Sequence, residues 1–250
     1  MAKELIIAKT LREAASCVRS GAAVLAGGTE VNRLNSSVNA DVLVSIGRIE
    51  NLDSIEECIV DGVKKIKIGA TATFQEVIDS ELVPVWFREA CLYMSSRQKR
   101  DMATIGGNIA ALRDDSYIWA TLLACNAGIE IYKGGKPVAL SCRDYVSNEK
   151  AQKYIVLAVY LPAKDLRVVS KRYANTAASH AFLTMACCKE GRSTVYGICA
   201  KNCGIYCCKS TEDMSFKYKT DMFGSAEYKN YILKITAEDL KKALAEGGAK

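Results

Sequence analysis

Two short segments pair glycines beside small polar residues: AGGTEVN at 26–32 and TIGGNIA at 104–110. Where a chain turns on adjacent glycines, successive backbone N–H groups can converge on one point. Such a cluster attracts anionic oxygen because its dipoles point the same way. Thr29 and Thr104 add hydroxyl donors and Asn108 a carboxamide, a set suited to a pyrophosphate approached from two sides. Either pair taken alone also reads as an ordinary tight turn, for which glycine is the default residue. Neither segment fits G-x-G-x-x-G or the P-loop pattern, so Rossmann and kinase readings gain no support.

The other chemistry-bearing residues are scarce or scattered. The chain has 1 histidine, His180. A Ser-His-Asp triad, a Cys-His pair or a multi-histidine metal site would each have to be built on it, and beside Ser179 it reads as a surface or packing residue. The 11 cysteines include Cys187, Cys188, Cys199, Cys203, Cys207 and Cys208, dense enough to raise an iron–sulfur or other metal site. No C-x-x-C pair occurs, and strands would point alternate residues to opposite faces. Reduced thiols used as small core residues are the expectation, and no metal is assigned to this chain.

Composition narrows the class. The 250 residues allow one large domain or two small ones without disulfide staples. With 34 Lys+Arg against 28 Asp+Glu, the net charge of +6 is modest and dispersed, which argues against nucleic acid as a partner. No apolar run reaches the roughly 18 residues of a membrane span, and MAKELIIAKT lacks a signal-peptide core. The expectation is a cytoplasmic protein with no membrane insertion.

The elements that must position the glycine segments alternate at first. Glu4 to Ala8 reads as a strand, and Thr10 with Glu13 predicts a capped helix stopping near Gly21. Val24 to Ala26 and Val42 to Ile46 are short strands, and a hairpin turns at Asp61-Gly62. Helices are expected from Thr73, around Trp86 to Met94, and from about Asp115 to Cys125, with a second hairpin across Gly134-Gly135. From 154 to 208 the pattern becomes successive strands of one antiparallel sheet, and Ser225 to Glu246 is an amphipathic helix. The fold class is therefore α+β: a mixed first domain at 1–150 and a smaller sheet-plus-helix domain at 151–250.

Several stretches, taken in order, resemble one family: VLAGGTEVN at 24–32, LVSIGRIENLDSI at 43–55, IKIGATATFQEV at 66–77, SRQKRDMATIGGNIA at 96–110, IVLAVYLP at 155–162 and GSAEYK at 224–229. The chain is similar over essentially its full length to the FAD-binding (medium) subunit of the molybdenum hydroxylases, which include xanthine, carbon monoxide and nicotinate dehydrogenases. It most resembles the FAD subunit of a bacterial xanthine dehydrogenase. The resemblance implies an FAD-binding domain of two α/β subdomains of PCMH/VAO-like type, split near 60–70. A C-terminal domain of molybdenum hydroxylase flavoprotein type follows.

Carried over residue by residue, the resemblance implies that Leu25, Ala26, Gly27, Gly28, Thr29, Glu30 and Val31 wrap the pyrophosphate of a non-covalent FAD. Thr104, Ile105, Gly106, Gly107 and Asn108 supply a second phosphate loop. Leu157 packs near the flavin ring, and Arg172 falls where many relatives place a lysine. Molybdopterin and [2Fe-2S] clusters would sit in partner subunits, with NAD or another acceptor taking the electrons. The flavin carries the redox step, so no catalytic side chain is expected. Alternatives are a non-catalytic flavin-binding or assembly subunit, or a stand-alone flavin oxidase of the same fold. Two departures stand out. ALRDDSY at 111–117 puts Tyr117 on the position of a ribitol- or ribose-binding aspartate, for which Asp114 or Asp115 could substitute unless they cap the next helix. TEDMSFKYKTDMF replaces an alanine-rich helix before GSAEYK.

Overall fold

The computed structural model describes residues 2–33, 36, 38–162, 166–210 and 216–246. In chain order its elements are β1 (Glu4–Ile7), α1 (Leu11–Arg19), β2 (Ala23–Leu25), β3 (Val42–Ser45), β4 (Ile55–Val60), β5 (Val63–Gly69), α2 (Phe74–Asp79), α3 (Val85–Leu92), α4 (Arg97–Arg100), α5 (Ile105–Ala111) and α6 (Trp119–Ala124). There follow β6 (Gly128–Lys133), β7 (Lys136–Ser141), α7 (Cys142–Ser147), β8 (Ile155–Pro162), β9 (Val168–Tyr173), β10 (Leu183–Glu190), β11 (Ser193–Ala200), β12 (Gly204–Cys208) and α8 (Ala226–Glu246). Local chemistry sets many boundaries. Thr10 caps α1 by accepting from the Glu13 amide, and Thr73 with Glu76 forms a reciprocal capping box at α2. Asp61-Gly62 and Gly134-Gly135 all have positive φ, which matches the twist of the hairpins they close.

These elements form two units that interleave along the chain. The first comprises 1–83, 96–111 and 128–161; the second comprises 84–95, 112–127 and 162–250. The first unit holds a three-stranded parallel sheet of order β1-β3-β2 and a five-stranded sheet of order β4-β5-β8-β6-β7. Ala14 of α1, Val44 and Ile46 bury together with Ile155 and Leu157 of β8. The sequence reading joined β8 to the later antiparallel run. Instead β8 pairs with β6, because its apolar residues are needed on both faces of the middle of the five-stranded sheet.

The second unit is built on an antiparallel sheet of order β12-β11-β10-β9. Strand alternation gives it two apolar faces. Leu183, Met185, Cys187, Tyr196, Ile198 and Ala200 pack with Leu233, Ala237, Leu240 and Leu244 of α8. The other face receives α6, which lies so close that a Cβ on Gly197 would come within 2.0 Å of the Ala120 carbonyl. The last carbonyls of a helix lack intrahelical partners. Here thiols supply donors: Cys188 to Ala124 (3.0 Å), Cys125 to Leu122 (3.4 Å) and, at longer range, Cys207 to Leu123 (3.8 Å). Cysteine is small enough to lie between helix and sheet and carries a weak donor, which gives the cysteine-rich stretch a packing role. Among the described residues no group of three or more His, Cys, Asp or Glu side chains is arranged to hold a metal. No helix among them is long and apolar enough to cross a membrane.

Candidate functional site

The first glycine segment leaves the parallel sheet at the C-terminal end of β2, the side on which open α/β sheets receive ligands. The Leu25 carbonyl still accepts from Ile46 (3.0 Å), and Gly28, with φ +74, then turns the chain. Two bonds close the curl, Asn32 N–H to the Gly28 carbonyl (3.0 Å) and Arg33 N–H to the Glu30 carbonyl (3.2 Å). Glu30 also lies 3.9 Å from Arg33. Among the described residues, the amides of Gly27, Gly28, Thr29 and Val31 have no acceptor. They form an accessible run of donors around a left-handed glycine, a donor set that suits phosphate oxygens.

The second segment is different. The glycine turn expected at 104–110 is the helix α5, with Gly106 and Gly107 in its first turn. Its leading amides are occupied within the chain. Ile105 donates to Ala72 (2.9 Å), Gly106 to Ala70 (2.9 Å), Gly107 to the Thr104 hydroxyl (3.1 Å) and Asn108 to the Thr104 carbonyl (3.0 Å). A backbone nest is therefore absent at 105–108, and what these residues can offer a ligand comes from side chains. The buried Thr104 hydroxyl, already an acceptor, retains its own proton to donate.

The glycines bring the resembling stretches together. A Cβ on Gly27 would fall 1.7 Å from the Met102 carbonyl oxygen and 3.2 Å from Thr104 Cγ2, so the two glycine segments lie backbone against backbone. Gly106 rests in the same way on Ala70, where a Cβ would come within 2.5 Å of the Ala70 Cβ, and Gly69 rests on the Leu52 carbonyl at 2.2 Å. Ala70 in turn donates to the Leu157 carbonyl (2.8 Å), while the Leu157 side chain is buried in the core beneath the parallel sheet. Leu25, Ala26 and Ile105 serve this framework: Leu25 ends β2, Ala26 packs on the core, and Ile105 is fully buried.

In the second unit, Asp115 and Arg172 belong to one polar cluster. Asp115 is almost completely buried and receives both arms of Arg113, Nε to Oδ1 at 2.8 Å and Nη2 to Oδ2 at 2.6 Å. His180 Nδ1 approaches the same carboxylate at 3.4 Å. Asp114 accepts from the Asn202 amide (2.6 Å), and burial pushes its carboxyl above the usual value. Neither aspartate caps α6, as the alternative reading had it. The helix begins at Trp119, later than the pattern suggested, with Ile118 at its N-cap position and no side-chain cap, and the Ser116 hydroxyl accepts from the Ile118 and Trp119 amides (both 3.3 Å) just ahead of it.

Arg172 stands on the same face of β9 as Ser170, whose hydroxyl meets Tyr93 Oη at 2.9 Å. Its guanidinium lies 5.6 Å from the Tyr117 ring centroid and donates through Nη2 to the Ser179 carbonyl. Its buried Nε has no acceptor among the described residues. Burial pushes the Arg172 guanidinium below its ordinary value, against the pull of Tyr117, Tyr93 and Asp115. Sequence reasoning did not select Arg113, Tyr93 or His180 for this cluster. Arg113 stands only two residues from Asp115, but the other two arrive from distant parts of the chain and leave no local signal.

An α/β framework that leaves main-chain donors without acceptors at the end of a parallel strand is a class of site suited to phosphate oxygens. Residues 1–164 match the family profile described as FAD binding domain in molybdopterin dehydrogenase, and the chain belongs to that family. It is 25% identical over 235 residues to "Uncharacterized protein YgfM" of Escherichia coli K12, covering 89% of this chain and 88% of that protein. The fold is shared with the crystal structure of quinoline 2-oxidoreductase from Pseudomonas putida 86, at a TM-score of 0.85, 14% identity and coverage of 100% and 99% of the two chains. It is shared also with carbon monoxide dehydrogenase from Hydrogenophaga pseudoflava, at a TM-score of 0.82, 18% identity and 98% of each chain.

Proposed function

We propose that this chain is the flavoprotein subunit of a molybdenum hydroxylase complex, holding FAD non-covalently. The observation that carries the reading is the acceptorless amide run at Gly27, Gly28, Thr29 and Val31, in a chain whose first 164 residues match an FAD-binding family. When bound, FAD supplies two-electron redox chemistry. The protein's part is to bind and orient it. The amides of 27–31 hold phosphate oxygen. Thr104 and Asn108 add side-chain donors from the start of α5, placed there by the Gly27–Met102 approach. The resemblance alone names Leu157 and Arg172 as neighbours of the ring. Asp115 was the sequence candidate for a ribose or ribitol hydroxyl, but its carboxylate is already paired with Arg113 and faces His180. It contributes through that cluster.

In this reading an iron–sulfur subunit delivers electrons that a molybdopterin-bearing subunit has taken from a purine-like substrate such as xanthine, and NAD or another acceptor removes them. Heat or acid release followed by chromatography of the supernatant tests the cofactor. The expected result is FAD; FMN, no flavin, or flavin retained on the precipitated chain would overturn it. Comparing the isolated chain with the assembly it co-purifies with tests the subunit role. Substrate turnover by the isolated chain, or stoichiometric iron bound to it, would refute that role and favour a stand-alone oxidase or a cluster-bearing protein.

A further inference from the structure

The curl at 27–33 carries a carboxamide that the fold itself leaves unused. Its backbone makes one helix-like turn, because the Asn32 N–H reaches back to the Gly28 carbonyl at 3.0 Å. Residues three apart on such a turn share a side, and here these are Thr29 and Asn32. Both are exposed, whereas Glu30, Val31 and Arg33 are half-buried. The Asn32 side chain lies beside the left-handed glycine: a Cβ on Gly28 would fall 3.2 Å from Asn32 Nδ2. Among the described residues that carboxamide has no hydrogen-bond partner. The local reasons for an asparagine do not apply to it. One that serves a turn bonds nearby backbone, as Asn148 does in accepting from the Lys150 and Ala151 amides (3.1 and 3.2 Å). One that serves a left-handed conformation has positive φ, as Asn51, Asn126 and Asn202 do and Asn32 does not. The one carboxylate of the curl, Glu30, is met by Arg33 at 3.9 Å, which offsets its charge beside the amide run.

We propose that Asn32 is a further phosphate-binding residue, whose carboxamide N–H joins the amides of Gly27, Gly28, Thr29 and Val31 on the oxygens of the cofactor's pyrophosphate. Every group involved lies in the first unit. The inference rests on the flavoprotein reading for the source of the phosphate, and on the geometry of the curl for the role of Asn32. Glycine at 28 then meets two demands, a positive φ for the turn and room for the carboxamide alongside it. The main-chain donors are fixed by the turn, while a carboxamide on a rotatable side chain turns its NH2 toward an oxygen as it arrives. This chemistry sets an order among variants. Asn32→Ala removes one donor. Asn32→Asp keeps the size and suits a turn equally well, yet puts a negative charge where phosphate must lie. A residue kept for the turn alone gives the reverse order, with Asn32→Asp tolerated and Asn32→Ala impaired.

The test titrates apoprotein with ADP, which carries a pyrophosphate and no flavin, and separately with FAD. In the parent, the Asn32 side-chain NH2 resonances should shift together with the 27–31 amides in both titrations, a result that needs no variant to fold. Asn32→Ala should bind either nucleotide about tenfold more weakly, the size of one hydrogen bond to a charged group. Asn32→Asp should be about a hundredfold weaker at low ionic strength and recover part of that loss in high salt, which Asn32→Ala should not. The Tm of both apoproteins should match the parent. Parent Asn32 resonances that ignore bound FAD, or Asn32→Asp binding as tightly as Asn32→Ala, would overturn the inference and leave the flavoprotein reading standing. ADP binding that shifts Asn32 in a chain that takes up no FAD would refute the flavoprotein reading and keep Asn32 as a phosphate ligand. A parent that responds to neither nucleotide would overturn both.

Discussion

Substituting the two glycines of α5 one at a time separates what the fold needs from what a ligand needs. In Gly106→Ala the new Cβ lands 2.5 Å from the Ala70 Cβ, 2.7 Å from its carbonyl oxygen and 2.8 Å from its Cα. Carbon contacts settle near 3.5–4.0 Å, so the helix must lift by roughly 1 Å, and none of the obstructing atoms belongs to a flexible side chain. Overpacking of this kind costs about 1–3 kcal/mol, and replacing a helical glycine by alanine returns about 1 kcal/mol. With three rigid contacts under 3 Å the cost falls in the upper part of that range, about 2–3 kcal/mol, and the net loss is about 1–2 kcal/mol, or some 2–4 °C in Tm for each kcal/mol. In Gly107→Ala the Cβ meets only the Thr104 hydroxyl, at 2.8 Å. Displacing that hydroxyl forfeits a cap of about 1 kcal/mol, which the same helix propensity offsets. Stability should stay near that of the parent. If FAD phosphate approaches this turn, however, the methyl group obstructs it, and affinity should fall at least about tenfold, equivalent to 1.4 kcal/mol. Differential scanning fluorimetry and FAD fluorescence titration read the two effects independently. Parent-like FAD affinity in Gly107→Ala would refute the approach of the cofactor to α5. Parent-like Tm in Gly106→Ala would refute the packing argument.

Other consequences can be checked in the same preparations. Gly27→Ala places a Cβ 1.7 Å from the Met102 oxygen, so both FAD retention and the Tm of the first unit should fall, unlike in Gly107→Ala. A thiol reagent at pH 8 followed by mass spectrometry should label the exposed Cys207 first. Burial pushes the thiols of Cys91 and Cys199 far above their ordinary range and that of Cys187 up to about 12, so these should label only on unfolding. The buried Lys229 ammonium pairs with Asp221 at 2.6 Å. Burial of Asp221 acts to raise its carboxyl, but the hydrogen bonds from Lys229 and Phe223 outweigh it and leave the group below its ordinary value. Its contribution to stability is therefore present at neutral pH and is lost as pH falls through the depressed folded-state value. Tm measured from pH 5 downward should decline less in Asp221→Asn than in the parent, and equal slopes would refute the linkage.

Periodicity and turn chemistry made most elements legible. Caps at Thr10 and Thr73, the Asp61-Gly62 and Gly134-Gly135 turns and the apolar face of α8 all announce themselves within a few residues. Partnership was harder to read, because it depends on contacts distant in sequence. β8 looks like the first strand of the C-terminal run, since a central strand of either sheet must be apolar on both faces. The helical insertions 84–95 and 112–127 belong to the second unit although the chain reaches them long before its sheet, and no local pattern records that allegiance. Short helices such as α4 and α7 fall below the length at which an apolar period becomes visible.

The glycines show most clearly why the site could be located more readily than explained. One residue type meets three separate physical demands here. Gly28 supplies a positive φ that turns the chain around its own amides. Gly27, Gly69 and Gly106 have no need of unusual φ and are glycine because another stretch of backbone occupies the space of a Cβ. Gly107 faces only a movable hydroxyl, so the protein alone gives a weak reason for glycine there, and the proposed approach of the cofactor to α5 would give a stronger one. Sequence renders all three demands identically as GG, which is why two segments of like appearance were assigned like roles. Amide occupancy separates them. Among the described residues the amides of Gly27, Gly28, Thr29 and Val31 lack acceptors, and at 105–108 the chain has already used its own.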